Sequence, residues 1–578
     1  MPSLLLSRRD LDFLLHEWLD VTSLTSRPTY QEHDRATFDA VLDLAEQVAT
    51  NDFAPHNRRN DEEEPTFDGT RVHLHDEIGK ALRAFADAGF IGAGMPPEVG
   101  GMQLPATVTQ AVIAWFQAAN VSTSGYVFLT VANANLLLAH GTPEQVEAYV
   151  KPMVEGRYFG TMCLSEPQAG SSLADITTRA EPQGDGTYRV TGNKMWISGG
   201  DHELSENIIH LVLAKIPGSP PGAKGISLFL VPKLLPDGTR NDVVLAGLNH
   251  KMGYRGTVNT LLNFGEKGGA LGWLVGRENE GLAAMFHMMN EARIGVGLGA
   301  TALGYSGYLH ALDYARNRPQ GRPVIAKDPT TPMVPLVEHP DVRRMLLAAK
   351  SYVEGSLALN LYCGRLVDEE RTGADPARAK LLLDVLTPIA KSWPAQWCLL
   401  ANDLAIQVHG GYGYTREYIV EQLYRDNRLN PIHEGTHGIQ ALDLLGRKVT
   451  MQGGAGLALL AATIGETVAR AGDHPFAAQL SAAVSRVVDV TQTLWGTGDP
   501  ALALANASVY LEAVGHVVVA WMWLEQLLAA DGKVGDFYDG KRAAAEYFFA
   551  WELPKTGPQL DLLASLNRTT LDMHDAWF

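Results

Sequence analysis

The fold is decided by a central block of short, β-rich runs that includes Lys194-Met195-Trp196-Ile197, Ile208-Ile209-His210-Leu211-Val212-Leu213 and Ile226-Ser227-Leu228-Phe229-Leu230-Val231. Residues that favour turns separate these runs from their neighbours, as in Gly184-Asp185-Gly186 and Pro236-Asp237-Gly238. Short strands joined by such turns predict an antiparallel β domain between residues 160 and 280.

Helical spacing flanks this block on both sides. Before it, apolar residues recur three and four apart, as in Phe38, Leu42 and Ala45, which is the pattern of amphipathic helices. The same spacing returns after Gly281. The sequence therefore predicts a mostly α chain with a central β domain, divided into an N-terminal extension (1–35), a helical domain (36–159), the β domain (160–280), a helical bundle (281–450) and a C-terminal helical extension (451–578).

Charge argues against two classes of partner. Lys and Arg total 47 and Asp and Glu total 65, so the 578-residue chain has a net charge of −18. The C-terminal extension is itself acidic, with seven basic and fourteen acidic residues. An acidic surface is not attracted to nucleic acid or anionic lipid, so we expect neither as a partner.

The remaining composition suggests a cytoplasmic protein. Three cysteines are too few and too scattered for a disulfide framework, which favours a reducing compartment. Three leucines before Arg8 and Arg9 do not make the apolar core of a secretory signal, so export is not expected. The apolar stretch Ala513–Leu524 is shorter than the ~20 residues that span a bilayer, so we interpret it as a buried helix and expect no membrane span.

One glycine pattern resembles a dinucleotide-binding fingerprint. It is Gly295-Val296-Gly297-Leu298-Gly299-Ala300. Such a fingerprint works in a turn from a strand to a helix, whereas this one follows a helical run. We therefore interpret these glycines as sites where helices pack closely.

The sequence gives only weak support for a metal site. His433 and His437 are four residues apart and flank Glu434, and on a regular helix two such histidines could chelate zinc. A proline and two glycines interrupt this stretch, and no third ligand is evident. No metal is expected.

Three segments far apart in the chain are more informative in combination. They are Met162-Cys163-Leu164-Ser165-Glu166-Pro167-Gln168-Ala169-Gly170-Ser171-Ser172, Lys194-Met195-Trp196-Ile197-Ser198, and Gln407-Val408-His409-Gly410-Gly411-Tyr412-Gly413 together with Asn430-Pro431-Ile432-His433-Glu434-Gly435-Thr436. The first offers backbone N–H groups and hydroxyls suited to an anion or a carbonyl, and the second offers an indole that can support a flat ring. Taken singly, an ordinary loop and a core tryptophan would be the better explanations of these two segments.

Together these segments resemble the acyl-CoA dehydrogenase family of flavoproteins, in its order and spacing, over about residues 40–450. Met95-Pro96-Pro97-Glu98-Val99-Gly100-Gly101 and Lys251-Met252-Gly253-Tyr254-Arg255-Gly256 extend the resemblance. It implies a helical domain, a β-barrel domain and a helical bundle, and it implies FAD without a Rossmann fold. It also implies a homo-oligomer, either a dimer or a tetramer.

The resemblance assigns residues to the flavin one by one. Leu164 and Ser165 correspond to residues that bond the polar edge of the ring, and Trp196 and Ser198 to residues beside its N5. Gly170 and Ser171 correspond to a loop shared with the thioester. The remaining implied cofactor contacts are Arg318, Gln320, Gln407, Gly410, Gly411 and Thr436, of which Arg318 and Gln320 match a region that reaches the FAD of a neighbouring subunit.

Glu434 matches the family's catalytic base. A thioester α-hydrogen is weakly acidic, so its removal requires a positioned base as hydride leaves the β-carbon for flavin N5. Some members carry the base just before the arginine that corresponds to Arg293, where this chain has Ala292. Glu291 is therefore kept as a second choice. Asn290, Arg293 and Ser171 are assigned with Glu434 to the substrate site.

The two extensions outside the common core resemble the larger bacterial branch that includes 3-methylthiopropanoyl-CoA dehydrogenases. We expect a short or medium acyl-CoA as substrate, with the methylthio compound as one candidate. The expected electron acceptor is an electron-transfer flavoprotein or another carrier.

Three alternatives stay open. An acyl-CoA oxidase shares the chemistry but passes electrons to oxygen. A non-catalytic, DNA-associated flavoprotein of this fold would be expected to have a basic tail, and a structural protein would be free to lose Glu434. CoA carries several phosphates, so local donors must outweigh the global charge of −18. We expect a restricted basic patch with Arg293 nearby.

Overall fold

The computed structural model describes residues 3–326 and 328–578, without the side chains of residues 287–290. Its strands, in chain order, are β1 (Thr66–Phe67), β2 (Val72–His73), β3 (Tyr158–Cys163), β4 (Arg179–Pro182), β5 (Tyr188–Ser198), β6 (Asn207–Lys215), β7 (Ile226–Pro232), β8 (Val243–Leu248), β9 (Asn259–Phe264) and β10 (Ala270–Val275).

Helices occupy most of the remaining chain. They are α1 (Arg8–Asp12), α2 (Arg35–Val48), α3 (Asn57–Glu62), α4 (Asp76–Asp87), α5 (Ala106–His140), α6 (Pro143–Gln145), α7 (Lys151–Val154), α8 (Gly281–Asn317), α9 (Pro340–Thr372), α10 (Pro376–His409), α11 (Val420–Asn427), α12 (His437–Asp443), α13 (Met451–Ala471), α14 (Pro475–Gly496), α15 (Pro500–Leu504), α16 (Ala507–Ala529), α17 (Asp536–Tyr547), α18 (Thr556–Ala564) and α19 (Thr569–Asp572). This order confirms the predicted succession of helices, strands and helices.

The chain forms two compact units. The first contains residues 32–105 and 115–292, and the second contains residues 1–31, 106–114 and 293–578. The N-terminal residues thus belong to the same unit as the C-terminal extension.

An eight-stranded sheet dominates the first unit, in the order β10-β7-β6-β4-β5-β9-β8 with β3 beside β6. Strand β10 pairs with β7 through residues 273–275 and with β5 through residues 270–272, which closes the strands into a ring. A ring of this kind agrees with the predicted barrel. Its interior is apolar because β6 and β7 are buried along nearly their whole length.

The prediction of an antiparallel sheet was wrong at β6, which has two parallel neighbours: β4, through the single pair Arg179 and Lys215, and β3. β3 runs parallel to β6, from Tyr158 opposite Asn207 to Cys163 opposite Val212. Strands β4 and β5 lie between them in the chain, and this long crossover lets β6 return in the direction of β3. Turn residues alone do not reveal such a connection.

Long helices form the second unit. Gly297 of α8 approaches α10 so closely that an added Cβ would lie 1.8 Å from the carbonyl oxygen of Ala390. This contact confirms, at Gly297, that the glycine pattern serves helix packing. Pro394 of α10 cannot donate a hydrogen bond to that carbonyl, and the Asn360 Nδ2 donates to it instead at 3.2 Å.

Within the described part of the chain, two helices are long and apolar enough to span a membrane by length and composition alone. Their most apolar 18-residue windows have mean hydropathies of 1.2 in α5 and 1.4 in α16. Within the protein, 67% and 83% of these windows are buried, as is usual for core helices. The buried stretch predicted at Ala513–Leu524 is part of the longer α16.

Candidate functional site

In the first unit, a buried lysine joins the two segments that carry the predicted flavin contacts. Lys194 of β5 donates hydrogen bonds from Nζ to the carbonyl oxygen of Leu164 at 2.9 Å and to Glu166 Oε1 at 3.0 Å. The Met195 N–H donates to the carbonyl oxygen of Ser165 at 3.0 Å. The turn after β3 and the strand β5 are therefore held side by side.

Trp196 lies at an irregularity in β5. The pairing of β5 with β9 shifts register between Lys194 and Ile197, and Trp196 has a left-handed backbone with φ of +66°. A bulky residue rarely adopts this conformation, which is characteristic of functional sites. The irregularity leaves the indole 58% exposed, although large aromatic side chains usually lie in the core.

The other predicted residues of this unit lie near these segments in the chain. Ser198, two residues after Trp196, accepts a hydrogen bond from Asn259 Nδ2 at 3.2 Å. Gly170 and Ser171 lie in an exposed loop, and a Cβ added at Gly170 would contact nothing within 4 Å. The first unit thus offers an open turn, hydroxyls and a bare aromatic face.

In the second unit, Glu434 lies in the loop between α11 and α12. It has a left-handed backbone with φ of +53°, followed by Gly435 with φ of +89°. Gln440 Nε2 donates a hydrogen bond to the carbonyl oxygen of Glu434 at 3.0 Å. Burial raises the pKa of the Glu434 carboxyl, while the positive charges of Lys391 and Arg293 oppose that rise. A carboxylate in this environment is suited to accept a proton.

Lys391 was missed by the sequence analysis. It is fully buried in α10 and donates hydrogen bonds from Nζ to the carbonyl oxygens of Asn430 at 2.8 Å and Gly435 at 2.7 Å. Burial lowers the pKa of Lys391 to about 7, against the attraction of Glu434. The sequence signal was a single charged residue within the otherwise uncharged run 385–395.

Arg293 is buried and paired with Asp443, with 2.9 Å between Nη1 and Oδ2. It therefore does not itself provide an exposed cation for CoA phosphates, and the basic patch expected near it stays a prediction. The Asn290 side chain lies outside the described residues. Glu291, the second choice for the base, belongs to the first unit, where its carboxylate accepts a hydrogen bond from Asn135 Nδ2 at 3.0 Å.

The other predicted residues of the second unit lie at helix ends and in one loop. Gln407 is in the last turn of α10, and Cβ atoms added at Gly410 or Gly411 would contact nothing within 4 Å. Thr436 caps α12 by accepting a hydrogen bond from the Ile439 N–H. Arg318 and Gln320 follow α8 and are exposed. The Arg318 guanidinium lies 5.7 Å from the centre of the Tyr412 ring.

The two histidines that flank Glu434 bond to other groups. His433 Nε2 lies 3.0 Å from Asn430 Oδ1, and burial lowers the pKa of His433 to about 3. His437 Nδ1 lies 2.6 Å from the Ser392 hydroxyl. Both residues therefore have structural partners, and neither contact requires a metal.

Comparisons with known proteins agree with this arrangement. Family models match along nearly the whole chain: acyl-CoA dehydrogenase N-terminal domain (36–157), middle domain (161–266) and C-terminal domain (279–449), and acetyl-CoA dehydrogenase C-terminal like (460–574). The chain belongs to the acyl-CoA dehydrogenase family. The C-terminal extension is therefore also a recognised family element.

Individual relatives cover the chain almost end to end. A 3-methylmercaptopropionyl-CoA dehydrogenase of Ruegeria pomeroyi is 36% identical, over 93% of this chain and 94% of its own length. A butyryl-CoA dehydrogenase of Syntrophomonas wolfei is 32% identical, over 99% and 98%. The fold resembles an acyl-CoA dehydrogenase complexed with FAD from Bacillus anthracis, with a TM-score of 0.77 and 20% identity over 99% of this chain and 93% of that one.

Proposed function

We propose that the protein is an FAD-dependent dehydrogenase that converts an acyl-CoA thioester to the trans-2-enoyl-CoA, with Glu434 as the base that removes the α-proton. The observation that carries this proposal is the partly buried Glu434, which has a left-handed backbone and a carboxyl pKa that desolvation raises. An isolated surface carboxylate would have neither the strained backbone nor the desolvation.

The residues present fit FAD. The exposed indole of Trp196 offers a face for a flat ring, and the hydroxyls of Ser165, Ser198 and Thr436 offer polar partners. Open space lies beside Gly170 in the first unit and beside Gly410 and Gly411 in the second, because an added Cβ at each would contact nothing within 4 Å. When bound, the flavin supplies a hydride acceptor at N5.

The chain's own part in the reaction is the handling of the proton. Glu434 must be ionised to accept the α-proton, and a raised pKa makes it a stronger base once ionised. The family resemblance implies that the backbone N–H of Glu434 donates a hydrogen bond to the thioester oxygen as negative charge develops on it. Glu434 then holds the proton until the product leaves.

The substrate class that we favour is a short acyl-CoA, with 3-methylthiopropanoyl-CoA as the leading candidate. The relative from Ruegeria pomeroyi carries that activity in its name, and the relative from Syntrophomonas wolfei is named for butyryl-CoA. Initial rates with butanoyl-, octanoyl- and 3-methylthiopropanoyl-CoA would test this choice. A preference for octanoyl-CoA would contradict it.

We also propose an electron-transfer flavoprotein as acceptor, a homodimer or homotetramer, and a cytoplasmic location. The choice of electron acceptor is tested by comparing the rate at which an electron-transfer flavoprotein is reduced with the rate at which oxygen is consumed. Turnover with oxygen alone would identify an oxidase instead.

The central experiment is anaerobic reduction of the purified protein by a saturated acyl-CoA. The flavin absorbance of the wild-type protein should bleach. Glu434→Gln should retain the flavin, but its flavin should be reduced at least about 10²-fold more slowly, because the amide cannot accept a proton. Glu434→Asp, with a shorter side chain, should retain part of the rate. Full bleaching by Glu434→Gln would place the base elsewhere.

A further inference from the structure

Lys391 is an unusual residue for the middle of a long helix. It lies in α10 between Pro388 and Pro394, and its side chain is fully buried. A buried lysine is costly unless its ammonium is paired or hydrogen-bonded. Its ammonium donates hydrogen bonds to two backbone carbonyls of another segment, and both belong to the loop that carries Glu434.

These two carbonyls lie on either side of Glu434 in the sequence. The Nζ of Lys391 is 2.8 Å from the oxygen of Asn430 and 2.7 Å from the oxygen of Gly435. One ammonium therefore joins the start of the loop to its end. A non-glycine residue with φ of +53° persists only where its surroundings hold it, and this bridge is one such constraint.

Two helices bring positive charges near the Glu434 carboxyl. Lys391 comes from α10 and Arg293 from α8, and Arg293 is already paired with Asp443 of α12. His433, beside Glu434, has a pKa lowered to about 3 by burial and by Lys391, so it is neutral. Among the described residues of this unit, Lys391 and Arg293 are the cations that act on the Glu434 carboxyl.

We propose that Lys391 is the positioning residue of the base: its ammonium clamps the loop between Asn430 and Gly435 and supplies a positive charge that favours the carboxylate form of Glu434. This inference rests on the proposed function, since it assumes that Glu434 is the base. Lys391 does not touch the reacting atoms and acts through Glu434.

The test uses Lys391→Met, which keeps the length of the side chain and removes its charge and hydrogen bonds. Loss of a nearby opposite charge raises a carboxyl pKa, so the acid limb of kcat/KM should move upward by about one pH unit or more. The direction follows from the active form, because Glu434 must be ionised and a higher pKa delays ionisation to higher pH. A residue with a purely structural role would lower the rate without moving this limb.

A second readout does not depend on turnover. Hydrogen–deuterium exchange of the purified holoprotein should be faster in the peptide that covers residues 430–436 of Lys391→Met than in wild type, because the bridge between the two carbonyls is lost. Lys448→Met is the matched control. Lys448 is also largely buried in the same unit, but its ammonium pairs with Asp384 at 2.8 Å. This control should leave both the pH limb and the exchange of residues 430–436 unchanged.

If Lys391→Met does not fold, Lys391→Gln tests the same charge with a polar side chain and should also move the acid limb upward. An unmoved limb or unchanged exchange of the loop in a folded Lys391 variant would overturn the inference. Failure of the proposed function would be seen separately, as wild-type protein whose flavin no acyl-CoA reduces.

Discussion

Lys194 and Glu166 form an ion pair at 3.0 Å, with side chains only 0% and 1% exposed. Glu166 also accepts hydrogen bonds from the N–H and hydroxyl groups of Thr177 and Thr178. Lys194 donates in addition to the carbonyl oxygen of Leu164. The pair therefore fixes the turn after β3 against the strand that carries Trp196.

Removal of one partner of this ion pair should lower the stability of the fold. Lys194→Met leaves the Glu166 carboxylate buried without its counter-ion, which typically costs about 3–5 kcal/mol of folding free energy. The thermal midpoint of the variant should fall by several degrees. The double variant Lys194→Met/Glu166→Gln carries no buried charge at this place and should recover part of the loss. A single variant as stable as wild type would show that the pair contributes nothing.

The same pair predicts a dependence of stability on pH. Burial disfavours the Glu166 carboxylate, but Lys194 and the threonine hydrogen bonds outweigh it and lower its pKa to about 2. A lowered carboxyl pKa stabilises the folded state above the unfolded pKa of about 4.5, by about 3 kcal/mol, and this stabilisation is lost as the pH falls toward 2. The gap in thermal midpoint between wild type and Glu166→Gln should be widest near pH 7 and narrow below about pH 5. A gap that widens in acid would contradict this origin.

The order of helices and strands could be predicted because hydrophobic spacing is local. The positions of Glu434 and Trp196 were also recognisable, through motifs that each fit within a dozen residues. The contacts of Lys391 were not, because its carbonyl partners lie 39 and 44 residues further along the chain and no motif surrounds this lysine. The direction of β3 was missed for a similar reason, since pairing with β6 depends on a crossover rather than on the strand's own residues.

Backbone conformation was another property that the sequence did not reveal. Nothing in the residue type of Trp196 or Glu434 indicates a left-handed φ, because bulky and charged residues usually avoid it. Both outliers coincide with residues that the family resemblance assigns to chemistry. Local rules thus fail where the surrounding structure imposes a backbone conformation.

Trp196 can be used to separate strain from cofactor binding. Trp196→Gly removes the penalty of a left-handed bulky residue, of order 1 kcal/mol, and loses little packing because the indole is 58% exposed. The flavin-free variant should therefore unfold within a few degrees of flavin-free wild type. Its bound flavin, measured by absorbance after purification, should fall, whereas Trp196→Phe should retain more. Full flavin occupancy in Trp196→Gly would exclude the indole as a contact.

Gly297 offers a direct test of helix packing. An added Cβ would lie 1.8 Å from the Ala390 carbonyl oxygen, a contact that only a shift of α8 or α10 could relieve. We expect Gly297→Ala to lower stability by more than about 2 kcal/mol. Gly465 of α13 is the control, because a Cβ there contacts nothing within 4 Å. Gly465→Ala should raise stability by about 0.5–1 kcal/mol through helix propensity. Equal thermal midpoints for the two variants would refute the packing argument.

The stability of the C-terminal extension should depend on a buried lysine within it. Lys541 of α17 pairs with Asp10 near the N-terminus and, at 2.9 Å, with Glu354 of α9, and all three side chains are at most 3% exposed. Lys541→Met would leave the buried Asp10 carboxylate without its counter-ion, while Glu354 would keep Lys350, and this should cost about 3–5 kcal/mol.

The matched control is Lys533→Met. Lys533 lies in the same extension and pairs with Glu17 at 2.7 Å, but its side chain is 36% exposed, so its loss should cost about 1 kcal/mol or less. Hydrogen–deuterium exchange should show faster exchange in residues 8–18 of Lys541→Met than of Lys533→Met, because Asp10 joins this segment to α17 through Lys541. If the two variants exchange alike there, Lys541 does not anchor the N-terminal segment to the extension.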